Sequence, residues 1–221
     1  MNLLNASSLS VAEVENHLGF QEVEILGRYL DVLPLDKLST AERKDVVKIA
    51  KDFRHYLKAG KVSEGLIKAL TIFPLLRLAG FYSHPVELKV EEDIAQITVE
   101  DDDKVIKGRY DILAINHAAK TEGVPLWIVV AEAKNSEIAC RSGLPQLLTY
   151  AYQSLSDQGS VWGLVTNGLN YQFVLMYGDK SPMYQMFPLL HLLDPTQAEQ
   201  LGQILKALCA LRVPTPKSAV A

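Results

Sequence analysis

The segment Pro125-Leu126-Trp127-Ile128-Val129-Val130-Ala131 is an almost unbroken apolar run, and it ends in Glu132-Ala133-Lys134. A strand of this kind is usually buried on both faces and therefore central in its sheet. Strand side chains alternate, so Glu132 and Lys134 point to one side and Ala133 to the other. A carboxylate and an ammonium at the end of a buried strand are unfavourable unless they are paired or put to use. Any fold open to this chain must place that strand inside and give its polar end a partner.

The rest of the 221-residue chain supplies helices and further strands around it. Ser10-Val11-Ala12-Glu13 and Ser39-Thr40-Ala41-Glu42 match capping boxes, which start helices. Residues 41–57 carry Val46, Val47, Ile49, Ala50, Phe53 and Leu57 as an apolar stripe opposite Lys and Arg, with Gly60 as the stop. A helix is expected from about Ser63 towards Leu78, kinked or shortened by Pro74. Residues 86–99 and 105–115 alternate like a β-hairpin joined by Asp101-Asp102-Asp103-Lys104. Ala114-Ile115-Asn116-His117 is expected to lead into a polar loop through Gly123. Beyond the apolar run come a helix (142–155), two strands (161–166 and 171–177), an edge strand (183–189) and a last helix (196–211).

This order predicts an α/β fold with a mixed central β-sheet flanked by helices. The expected division is an N-terminal helical extension at 1–60, the α/β domain at 61–213 and a flexible tail at 214–221. Hydrophobic residues make up 48 % and charged residues 22 %, a globular balance. No apolar run is long enough to span a bilayer, and no secretory signal opens the chain, so a cytoplasmic protein is expected. Cys140 and Cys209 lie far apart with no ligands at zinc spacing. The net charge of −4 counts against nucleic-acid binding, although a carboxylate site adds negative charge that bound cations offset.

Asp111 lies on the strand before the apolar run. If the two strands pair, Asp111 sits beside Glu132, and two close carboxylates call for a divalent cation. Oxygen ligands of this kind suit Mg²⁺ or Mn²⁺. Such an ion can polarise a phosphoryl oxygen, and Lys134 would stabilise charge developing on the phosphate.

At these residues the sequence resembles the PD-(D/E)xK nuclease superfamily. Asp111 followed by Glu132-Ala133-Lys134 is similar to its D…(D/E)xK signature, with Tyr110 where the proline would stand. Gln146-Leu147-Leu148-Thr149-Tyr150 is similar to the QxxxY motif of one branch, which includes the nuclease domain of type I restriction enzyme motor subunits. Gln146 and Tyr150 are i and i+4, hence on one helix face. The resemblance covers about residues 62–174. It implies a restriction-endonuclease-like core in which Asp111, Glu132 and the Ala133 carbonyl hold metal. Lys134 would assist chemistry, Gln146 and Tyr150 would organise the site, and Glu64 would stand near the metal.

Each residue also has a plainer reading. Glu132 and Lys134 would form a structural ion pair, and Asp111 with Arg109 would join cross-strand salt bridges. Gln146 would be a surface amide, Tyr150 a core aromatic with its hydroxyl at the rim, and Glu64 a first-turn acid favoured by the helix dipole. The expected function is Mg²⁺-dependent hydrolysis of DNA phosphodiester bonds by an endonuclease-like chain without a motor, since no GxxxxGK(S/T) motif is present. Candidate partners are DNA, a separate motor or specificity subunit, and a second copy of the chain. The alternatives are a catalytically silent interaction protein on the same fold and an RNA-directed nuclease.

Overall fold

Two apolar cores lie on opposite faces of one mixed sheet in the computed structural model. It describes residues 2–24, 27–94, 96–99, 104–121, 124–178 and 180–212, with backbone alone at 2, 119–121, 124–126 and 128–130. The chain opens with β1 (Asn2–Asn5), α1 (Val11–Leu18), β2 (Gln21–Val23), α2 (Tyr29–Val32) and α3 (Thr40–Ala59). There follow α4 (Glu64–Ile67), a π-helical turn (Lys68–Ile72), α5 (Phe73–Leu78), β3 (Val86–Val90), β4 (Ile97–Thr98) and β5 (Lys104–Lys107). The rest is β6 (Ile112–Thr121), β7 (Val124–Ala133), α6 (Leu144–Gln158), β8 (Ser160–Thr166), β9 (Asn170–Tyr177), β10 (Met183–Met186), β11 (Leu190–His191) and α7 (Pro195–Cys209).

The main sheet runs β2-β10-β9-β8-β7-β6-β3, with β11 paired to β9. The apolar run is β7, and it lies inside the sheet, parallel to β8 and antiparallel to β6. The two-residue period sends alternate side chains to the two faces. Ile112, Ala114, Trp162 and Leu164 pack with α3, α5 and α7. Leu113, Ile115, Val161 and Val165 pack with α1 and α6. Both capping boxes are formed, at Ser10 with Glu13 and at Ser39 with Glu42. Gly163 in β8 lets α6 come close: a Cβ there would stand 2.5 Å from Leu147 Cδ2.

Several local expectations are corrected. The segment 1–60 is not helical throughout. β1 pairs with β5 in a separate three-stranded sheet, β1-β5-β4, and β2 pairs with β10 at the edge of the main sheet. Strands this short form only where a distant partner satisfies their backbone, so local periodicity does not announce them. For the same reason β10 is not an edge strand. Residues 86–99 do not make one strand: β3 pairs with β6 and β4 with β5, the break following Glu91 at φ 55°. The expected loop after His117 is strand as far as Thr121, where β6 continues through a register irregularity. Val47, counted in the α3 stripe, is exposed. The helix expected from Ser63 to Leu78 is interrupted, as Pro74 suggested, by the π turn before it, which loosens the ladder where the ring would meet a carbonyl, and α5 then carries it on to Leu78. Asp101 to Asp103 and the tail 214–221 lie outside the described residues. No helix among the described residues is long and apolar enough to cross a membrane.

Candidate active site

The register Ile112↔Ala131 brings the start of β6 against the end of β7. One step further, Asp111 meets the Glu132-Ala133 edge, and the backbone N–H of Ala133 donates to Asp111 Oδ2 at 2.7 Å. α4 reaches this sheet end from one face and α6 from the other. Asp111, Glu132, Lys134, Gln146, Tyr150 and Glu64 all line one cleft of about 700 Å³.

Glu132 is 3 % exposed. Its Oε1 accepts from Lys134 Nζ at 2.7 Å, while its Oε2 is buried with no partner. Burial first, then the charge of Asp111, pushes its carboxyl up to about 8, against the pull of Lys134. Gly143, in the 3-10 turn before α6, fits against this side chain: a Cβ there would lie 2.9 Å from Glu132 Cγ. Lys134 is fixed by its backbone N–H to Thr166 O at 2.8 Å, and its ammonium also donates to Gln146 Oε1. Gln146 Nε2 in turn donates to the Tyr150 hydroxyl at 3.1 Å, as the i,i+4 spacing requires. Burial pushes the Tyr150 phenol up to about 12. Tyr150 lies over Gly108, where a Cβ would come within 2.6 Å of its ring. The glycine is therefore what lets a buried tyrosine reach the cleft.

Glu64 is the first residue of α4, and burial followed by the charge of Asp111 raises its carboxyl. Sequence reasoning missed two groups here. Lys68, only 6 % exposed, donates to Asp111 Oδ1 at 2.9 Å and to Glu91 Oε1 at 2.9 Å, with Glu64 at 3.7 Å. The signal for Lys68 was its i+4 spacing from Glu64. Glu91 carried none, since its approach follows from the end of β3. Arg109 pairs with Glu91 at 3.8 Å and Asp111 with Lys68 at 2.9 Å, so both residues join salt bridges, as their plainer reading has it.

Four carboxylates thus face two ammonium groups. Among the described residues, no group of three or more His, Cys, Asp or Glu side chains is arranged to hold a metal ion. The donor set nevertheless fits a hard divalent cation. The carboxylates outnumber the ammonium groups, the charge of Asp111 raises the proton affinity of Glu64 and Glu132, and one buried oxygen is unpartnered. The geometry therefore suits cation-assisted work on an anionic substrate.

No protein-family model and no curated protein matches the sequence. Among solved structures, the fold is similar to a fragment provisionally described as an HsdR subunit of a type I restriction enzyme from Vibrio vulnificus YJ016. The two share 19 % identity over 65 % of this chain, with a TM-score of 0.35. The match spans 26 % of that structure's chain.

Proposed function

We propose that this chain is a metal-dependent nuclease that hydrolyses DNA phosphodiester bonds, like the nuclease domain of type I restriction motor subunits. The observation that carries the reading is Glu132 Oε2, a buried carboxylate oxygen without a partner in the wall of a polar cleft. Leaving such an oxygen unsatisfied costs stability, and a bound cation in the cleft would complete it.

On this reading Asp111, Glu132 and the Ala133 carbonyl would hold Mg²⁺ or Mn²⁺, with Glu64 close by. The bound ion would polarise a phosphoryl oxygen and make an attacking water more acidic. Lys134 places its ammonium beside Glu132, where it offsets negative charge developing on the phosphate. Gln146 holds that ammonium in place and is itself held by Tyr150. The Ala133 N–H keeps Asp111 turned towards Glu132.

One observation favours a second reading. Lys68 and Lys134 already pair with the carboxylates, as they would in a silent interaction protein on this fold. A cleavage assay separates the two. Plasmid DNA, single-stranded DNA and matched RNA are incubated with Mg²⁺ or Mn²⁺ and either the wild type or Lys134→Ala. Metal-dependent cutting of DNA that falls by about two to three orders of magnitude in the variant supports the nuclease. Equal cutting in both would reveal a contaminant. No cutting and no metal uptake would favour the silent protein.

A further inference from the structure

The polar end of β7 already has a cation. Lys68 opens the π turn, and its ammonium lies between Asp111 and Glu91, 2.9 Å from each. Glu64 stands further off, at 3.7 Å, and the two hydrogen-bonded partners differ in place. Asp111 is buried in the cleft wall and faces Glu132, whereas Glu91 is about half exposed at the end of β3. Glu91 is nonetheless fixed: its backbone, at φ 55°, donates N–H to the Asp111 carbonyl at 3.0 Å. Glu132 Oε2, in the same region, is buried without a hydrogen-bond partner.

We propose that Lys68 is a competitor built into the site: its ammonium occupies Asp111 until a divalent cation displaces it, and Glu91 is the carboxylate onto which it withdraws. The inference rests on the reading of the cleft as a metal site, and it adds the residues that set how tightly the metal is held. An ion approaching Asp111 and Glu132 must take Asp111 Oδ1 from Lys68. The lysine cannot reach bulk water freely, because it is buried. Glu91 keeps it paired after release, which lowers the cost of exchange. The affinity for metal is therefore the difference between two cations competing for one carboxylate, and the second carboxylate sets the balance.

Mn²⁺ titrated into the full chain by calorimetry tests this. Lys68→Met, close in length and uncharged, is expected to bind Mn²⁺ about ten-fold more tightly than wild type. Glu91→Gln, at an exposed position, is expected to weaken binding several-fold, because Lys68 then holds Asp111 more firmly. In the Lys68→Met background, Glu91→Gln should change nothing, since its effect acts through the lysine. A simple field effect would persist there. Should Lys68→Met fail to fold, Lys68→Gln, which keeps a donor without the charge, takes its place. Equal affinity in wild type and the Lys68 variant, or an additive Glu91 effect, overturns the proposal while leaving the metal site intact. No Mn²⁺ uptake by any variant overturns both.

Discussion

Asp111 is clipped to Ala133, its Oδ2 accepting the backbone N–H of a residue on the neighbouring strand at 2.7 Å. A carboxylate that bonds the backbone between Glu132 and Lys134 cannot turn away from either. The clip thus converts strand register into side-chain geometry.

Asp111→Ala removes the acceptor for that N–H and leaves the Lys68 ammonium with less compensation. Each buried group left unsatisfied costs about 1–3 kcal/mol, so unfolding in urea should show a loss of roughly 2–4 kcal/mol. Asp111→Asn keeps an acceptor and should lose less than about half of that. Both variants should lose metal uptake. A measured stability for Asp111→Ala equal to wild type would show that the clip is not formed.

Stability should depend on pH through Glu132. Its carboxyl is raised from 4.5 to about 8, so between those values the folded state holds a proton that the unfolded state has lost. The stabilisation is fully present below about pH 4.5 and is lost as pH rises towards 8. Glu132→Gln should flatten this fall and, without metal, be more stable than wild type at pH 8 by on the order of 2–4 kcal/mol. Urea melts of both proteins at pH 5.5 and 8 check the sign.

Gly108→Ala should act through Tyr150. The added methyl would lie 2.6 Å from the ring, which has no free space because Tyr150 is buried. Overpacking of this kind costs about 1–3 kcal/mol, and displacement of the ring should loosen Gln146 and, through it, Lys134. Cleavage is expected to fall about ten-fold or more. Thermal unfolding and cleavage rate measured together would show both changes.

Tyr150→Phe keeps the ring and removes only the hydroxyl that accepts from Gln146. The loss should be near 1 kcal/mol of stability. Its cleavage defect should be smaller than that of Gln146→Ala, because Gln146 itself touches Lys134. The reverse order of defects would mean that Tyr150 acts on substrate directly.

Much of this arrangement is legible in the sequence where spacing is local. The apolar run names the interior strand, alternation puts Glu132 and Lys134 on one side, and i,i+4 spacing puts Gln146 and Tyr150 on one helix face. Ser10 and Ser39 announce their helices because a capping box is complete within four residues. The parts that were missed are non-local. β2 is three residues long and pairs with a strand about 160 positions later, and nothing within it distinguishes strand from loop. Lys68 resembles any amphipathic-helix lysine until the fold carries α4 to the start of β6. Glu91 is informative only through a strand end whose position depends on pairing with β6.

Gly163 carries no polar side chain and bonds no residue of the cleft, yet Leu147, the neighbour of Gln146, rests on it. The missing methyl sets the depth at which α6 is seated, and that depth fixes the reach of Gln146 towards Lys134. The chemistry of the cleft is consequently under mechanical control from beneath. A change of volume at this apolar contact would move the Gln146–Lys134 contact without altering a single charge.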